Sequence, residues 1–360
     1  MKVVKQFIQF AIAIVCLSCV ACECDARDPN LEGTWAFSLP DGNPVWLRVS
    51  AQANASGKEA RPDVRFLWSV GSARAVGDAA WVDGQLEFSR KNVRWKPFGG
   101  KATRYVVGGF RVRFDSVDRA RLKFQLTEAV EGPLPKQPQL ETLILDGDRI
   151  PPPPKKPDLT RARFGDTIKL FNGENLDGWR LARDNQMNGW RAEQGVLVNE
   201  TPKTDFSGYG EYGNLVTERE FRDFRLTLEY NVPKGGNSGI YLRGMYEAQV
   251  VDRDSKMQGI AGPGAIFGRI APSRNAGREG GQWNRYVLTL VERHLTVELN
   301  GEVVIDNRLV DGCTGGGMRS NDSLPGPILL QGDHTSVRYR KLELEPFLGF
   351  DDATESVPNR

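Results

Sequence analysis

The sequence predicts an all-β protein: a C-terminal antiparallel β-sandwich or jelly roll preceded by a smaller antiparallel β domain, a barrel or sandwich. Three observations predict it. Apolar and polar residues alternate with a period of two in both halves, as in Phe110, Val112 and Phe114 against Arg111 and Arg113, which is the pattern of a half-buried strand. Asn300-Gly301 separates two such runs, the strongest short-range hairpin signal, because a type I′ turn needs two positive φ angles. Finally, 39 Gly and 21 Pro accompany no long helical periodicity and no heptads.

The chain begins Met1-Lys2-Val3-Val4-Lys5, and Phe7 to Val20 is almost wholly apolar. That run falls short of the ~20 residues of a spanning helix and matches the core of an export signal. Two cleavage points compete: before Cys22, where Cys19-Val20-Ala21-Cys22 resembles a lipobox, and after Ala26, giving a signal over residues 1–26. The expected location is periplasmic, cell-surface or extracellular, and a lipid on Cys22 would be the sole membrane attachment. Four of the five cysteines lie at 16, 19, 22 and 24, so Cys313 is alone in the body of the chain. No disulfide framework or CxxC metal pair is expected there. Cys313 has no histidine near it in sequence and reads as a small loop residue rather than a nucleophile.

Lys and Arg number 48 against 46 Asp and Glu, and removing residues 1–21, the shorter of the two signals, takes two lysines and no acid. A neutral chain offers no global field for nucleic acid or an anionic membrane, so neither is an expected partner.

Residues 27–150 form the first block. Leu122, Phe124 and Leu126 alternate with Arg121, Lys123 and Gln125, and Leu31 to Phe37 opens the domain with a Gly-x-Trp element similar to that of lipocalin-like domains. Trp46, Trp68, Trp81 and Trp95 read as core residues, with stacking on sugar rings as the alternative. The proline-rich segment 151–160 reads as an extended, semi-rigid spacer.

Residues 161–348 form the second block, followed by a tail over 349–360. Phe224, Leu226, Leu228 and Tyr230 alternate with polar residues. Two further strands, one through Ile240 to Arg243 and one through Tyr246 to Val251, are expected to pair. One face would then collect Tyr241, Arg243, Glu247 and Gln249. A half-buried face with those groups needs partners, because each unpaired polar group costs a few kcal/mol. A polyhydroxyl ligand would supply them, and an Arg243–Glu247 ion pair on a solvated sheet is the alternative. Two histidines are present: His294 at a hairpin turn, read as inert, and His334 beside Asp333 and Gln331, a proton carrier for neutral pH. No dense His/Asp/Glu set marks a zinc site. No cofactor is expected, and calcium on scattered carboxylates stays open.

Lys169-Leu170-Phe171-Asn172-Gly173-Glu174-Asn175-Leu176-Asp177-Gly178-Trp179 resembles the opening of the 3-keto-disaccharide hydrolase domain family. The resemblance continues through Gly236 to Gly244, Tyr246 to Val250, Gly262 to Phe267, Ala271 to Ala276 and Gln282-Trp283-Asn284. It ends with Gly326 to His334 and Val337 to Arg340, covering about residues 164–347. Lys341 departs from the Asn usual there.

The resemblance implies a concanavalin-like, laminin-G-like sandwich and action on glycosides oxidised at C3. A C3 ketone acidifies the C2 proton, a base removes it, and the enolate expels the C1 group. Water then adds, giving hydrolysis, or the enone leaves as a lyase product. On that basis His334 or Glu247 is the expected base and Arg243 stabilises the enolate. Gln249 and Gln331 orient hydroxyls, Trp283 stacks on a sugar ring, and Tyr241, Asp252 and Asn237 are further contacts with the oligosaccharide or glycoside. Competing readings are a non-catalytic carbohydrate-binding module and a cell-surface structural protein.

Overall fold

The computed structural model describes residues 32–51, 62–95, 104–129, 142–201 and 211–351. The segment read as an export signal and the tail beyond Asp351 lie outside the described residues.

Nine strands form the first domain: β1 Gly33–Ser38, β2 Pro44–Ala51, β3 Pro62–Trp68, β4 Arg74–Val76, β5 Ala80–Val82, β6 Gln85–Trp95, β7 Arg104–Phe114, β8 Arg119–Ala129 and β9 Thr142–Ile150. Their order is β4-β3-β2-β1-β9-β8-β7-β6-β5, all antiparallel. Sequence neighbours pair, the first strand joins the last, and the seam lies between the short β4 and β5. That is an up-and-down barrel, which leaves little free edge for stray pairing. Its interior is filled by rings, with Phe66 4.7 Å from Phe110 and Trp68 5.0 Å from Phe124, centroid to centroid. Gly108 is needed there, since a Cβ would lie 2.5 Å from the Phe124 ring. Trp35 and Trp68 are therefore core residues, and Trp81 packs half-buried near Phe114.

Fourteen strands follow. A larger sheet holds β10 Ala162–Phe164, β11 Ile168–Lys169, β13 Trp190–Glu193, β14 Val196–Asn199, β16 Phe224–Asn231, β19 Trp283–Val291, β20 His294–Leu299, β21 Glu302–Leu309 and β23 Val337–Phe350. A smaller sheet holds β12 Trp179–Leu181, β15 Leu215–Phe221, β17 Asn237–Leu242, β18 Tyr246–Val251 and β22 Gly326–Leu330, in the order β12-β15-β22-β17-β18. Leu226, Leu228, Tyr230, Tyr286 and Leu288 of the larger sheet share one apolar cluster with Ile240, Leu242, Ala248, Val250 and Leu330 of the smaller. Two antiparallel sheets thus close over a common core, as a sandwich does. The Asn300-Gly301 turn has φ of 54° and 87°, as a type I′ hairpin requires. His294 is buried, and its Nδ1 lies 3.0 Å from the Glu292 carbonyl in the preceding turn, so it belongs to the hairpin rather than to the surface.

The two domains share a core. Ala36, Trp46 and Leu67 are successive partners across β1, β2 and β3. They point out of the barrel and join the sandwich cluster. The Arg269 guanidinium lies 4.4 Å from the Trp46 ring centroid, a cation–π contact. The proline segment, expected as a spacer, is tied down instead. Arg293 Nη1 donates to the Pro151 carbonyl at 2.9 Å and Asn307 Nδ2 to that of Pro157 at 2.8 Å.

Arg293 also pairs with Asp322 at 3.0 Å, and both side chains are almost fully buried. Removing one partner strands a charge in a low-dielectric interior. Asp322→Ala is expected to destabilise the chain by about 3–5 kcal/mol in denaturant unfolding.

Candidate active site

The site lies on the face of the smaller sheet turned away from the shared core. β17 and β18 pair with Tyr241 opposite Glu247 and Gly239 opposite Gln249. Because alternate residues face opposite ways, Ile240, Leu242, Ala248 and Val250 fill the core while Tyr241, Glu247 and Gln249 share the outer face. β22 adds Leu329 on that face, and Gln331 follows the strand. The Gln331 Nε2 lies 3.5 Å from the Tyr241 hydroxyl.

Glu247 sits over the backbone of Gly239, where a Cβ would approach Glu247 Oε1 to 2.5 Å. The carboxyl can lie flat on the sheet because that position is glycine. Val216, Leu329 and Met318 pack around Tyr241 beside it. Burial pushes the Glu247 carboxyl up to about 8, opposed by its hydrogen bond with Tyr241 and reinforced by the nearby negative charge of Asp333. At neutral pH Glu247 therefore keeps its proton.

Asp333 Oδ1 lies 2.7 Å from His334 Nδ1. A carboxylate only accepts, so Nδ1 carries the proton in this contact. Asp333 is nine-tenths buried and so is most of His334. The site thus holds a carboxylic acid and an oriented imidazole, linked through the Asp333 charge.

Gln249 Nε2 donates to the Ala261 carbonyl at 3.1 Å, while its Oε1 is buried without a partner. Gln331 Oε1 is buried and unpartnered in the same way. Two amide oxygens on one face are acceptors suited to sugar hydroxyls. Asn237 stands at the start of β17, where its main chain exchanges two 2.9 Å hydrogen bonds with the Thr335 hydroxyl.

Three expected members lie elsewhere. Arg243 is not on this face: Arg243 and Gly244 have φ of 54° and 63° in the loop after Leu242, so the strand alternation stops one residue early. Its guanidinium turns to Tyr246, with Nη2 3.3 Å from the hydroxyl and Nη1 3.4 Å from the Leu324 carbonyl. Nor does an Arg243–Glu247 ion pair form. Trp283 lies on the outer side of the larger sheet, opposite Asn231, with the Arg340 guanidinium stacked 4.1 Å from its ring centroid. Asp252 closes a turn, accepting from the Gly235 and Asp254 amides at 2.7 and 3.1 Å. Cys313 is buried, and burial pushes its thiol up to about 12, so it is no nucleophile.

Two contributors escaped the sequence reading. Thr314 Oγ1 accepts the Glu247 amide at 3.1 Å, and the Gly315 carbonyl accepts the Tyr241 hydroxyl at 3.2 Å. Both come from a glycine-rich loop with no periodic pattern to place it. Among the described residues no three His, Cys, Asp or Glu side chains converge as a metal-binding group.

A 3-keto-disaccharide hydrolase of Bacteroides thetaiotaomicron is 33% identical over 90 residues, which is 25% of this chain and 30% of that relative. The chain thus matches less than a third of that relative's length. Two crystal structures of provisionally named glycosyl hydrolases from Parabacteroides distasonis are similar over about half of this chain. One has 25% identity, TM-score 0.41, and coverage of 54% of this chain and 92% of that one. The other has 18% identity, TM-score 0.40, and coverage of 49% and 92%. The profile of the 3-keto-alpha-glucoside-1,2-lyase-like domain matches residues 166–345, half of the chain and the whole span that carries the site, and the chain belongs to that family.

Proposed function

We propose that this carbohydrate-active protein cleaves glycosides that already carry a ketone at C3, by removing the C2 proton and expelling the C1 substituent. The observation that supports this reading is Glu247, a buried acid protonated at neutral pH, near an imidazole held by Asp333. His334 Nε2 takes the C2 proton, which the adjacent ketone has acidified. Charge then develops on the C3 oxygen. A donor on this face is the Gln331 amide, and it takes the enolate role expected of Arg243. Glu247 gives its proton to the departing C1 oxygen, and the C1–O bond breaks as the C1–C2 double bond forms. Gln249 and Gln331 accept from the remaining hydroxyls. Asp333 is committed to His334, which disfavours the paired-carboxylate route of ordinary glycosidases. Water adding back to the enone completes a hydrolysis, and its release completes a lyase reaction.

An NMR time course on a 3-keto-glucoside and its unoxidised parent, with and without chelator, tests the reading. Loss of the keto substrate alone is expected, and free 3-keto-sugar or enone identifies the second half-reaction. Cleavage of the parent would instead indicate a paired-carboxylate glycosidase. Intact keto substrate in every arm, with saturable oligosaccharide binding, would make the same face a binding module.

A further inference from the structure

The barrel meets the sandwich beside the site rather than behind it. The segment Cys313–Met318 lies between them. On its outer side, the Gly316 amide donates to the Ser69 carbonyl at 3.0 Å. Gly315 packs so closely on Gly71 that a Cβ would collide with the Gly71 amide nitrogen and carbonyl oxygen and the Val70 carbonyl carbon. The Ser320 hydroxyl donates to the Phe37 carbonyl at 2.7 Å, and Arg48 pairs with Asp311. Arg269, stacked on Trp46, holds the Cys313 carbonyl through Nε at 3.0 Å. On its inner side, the same segment meets Glu247 through Thr314 and Tyr241 through Gly315, and the Met318 amide donates to the Gly244 carbonyl at 2.7 Å. This six-residue segment thus carries barrel contacts at Gly315 and Gly316 and site contacts at Thr314 and Gly315.

We propose that the N-terminal barrel is a positioning element of the active site, its Ser69–Gly71 turn pressing the Cys313–Met318 wall onto Glu247 and Tyr241. The inference rests on the reading of those two side chains as site residues. Ser69 and Gly71 are positioning residues that act through Thr314 and Gly315. Ser69 suits the task because its φ of 62° turns its carbonyl to the wall, a conformation that β-branched residues resist.

Two full-length variants test the proposal from opposite sides. Gly315→Ala drives a methyl into the Gly71 backbone, and Ser69→Val strains the turn from the barrel side. Folding is checked by near-ultraviolet circular dichroism. Displacement of catalytic groups by an ångström can lower rates by about 100-fold. Each folded variant is expected to lose about 10- to 100-fold in kcat on a 3-keto-glucoside, with KM changed by less than about 3-fold. The Glu247 amide is expected to exchange its hydrogen about 10-fold faster, because its acceptor on Thr314 moves away. Amide exchange needs no turnover, so it decides the positioning claim even if the substrate assignment fails. Wild-type exchange at Glu247 in both folded variants would overturn the proposal. If Gly315→Ala does not fold, Ser69→Val alone decides.

Discussion

His334→Ala is expected to lower kcat on a 3-keto-glycoside by about 1,000-fold, with KM within a few-fold of wild type. The loss reflects removal of a positioned base, an effect of about 100- to 10,000-fold. The imidazole owes its tautomer to the 2.7 Å contact between Nδ1 and Asp333 Oδ1. Asp333→Asn retains an acceptor but loses the charge, so a smaller fall in kcat is expected. The pair of variants separates orientation from electrostatic support of the imidazolium. Hydrogen–deuterium exchange at C2 of the substrate gives the sharper reading. In deuterated buffer, Glu247→Gln should still wash out the C2 proton while cleaving slowly, whereas His334→Ala should do neither. Normal washout in His334→Ala would remove His334 from the role of base.

Glu247→Gln carries the second large effect, and its sign is fixed by the raised carboxyl. As the acid for the leaving group, Glu247 works while protonated, so wild-type kcat should decline as pH rises through about 8. Glu247→Gln should be slower by about 100-fold or more at neutral pH and should lack that decline. A nitrophenyl aglycone, which leaves as a stabilised anion, should recover most of the lost rate. Failure of the good leaving group to recover any rate would count against the acid role.

The same substitution should also change stability. Folded Glu247 binds its proton up to about pH 8, while the unfolded carboxyl releases it near the ordinary value of about 4.3. Between those limits the folded state holds more protons, so stability is greatest at the acid end and falls as pH rises. Glu247→Gln should flatten that fall and raise the melting temperature above pH 8. A residue that weakens the fold where it serves the chemistry is the usual trade between stability and activity.

Much of the fold was legible in the chain. Period-two alternation placed the strands around Phe110, Phe224 and Leu295, and Asn300-Gly301 marked its hairpin. The barrel was left open between two architectures because a linear pattern does not say whether β1 meets β9. At the site, alternation put Tyr241, Glu247 and Gln249 on one face, since register and pleat decide that much. It carried too far at Arg243, where positive φ had already turned the chain. Trp283 sits on the far side of the sandwich, and nothing local in its sequence tells one sheet from the other. The contributions of Thr314 and Gly315 depend on a loop arriving from 67 and 74 residues away in sequence, and local spacing carries no information about such an arrival. Residues 151–157 were read as an extended spacer from their prolines alone, and their anchors, Arg293 and Asn307, lie about 150 residues further along.

The row Ala36–Trp46–Leu67 also bears on how the chain comes apart. These side chains belong to the same apolar cluster as Leu228 and Tyr286. If the barrel melts, the sandwich loses part of its own core, and if the sandwich opens, a tryptophan and its neighbours are left facing water. Two domains joined by a slack tether would melt in two steps. A shared core instead couples them into one cooperative unit, so damage at the rim of the barrel is felt as a loss of the catalytic sheet.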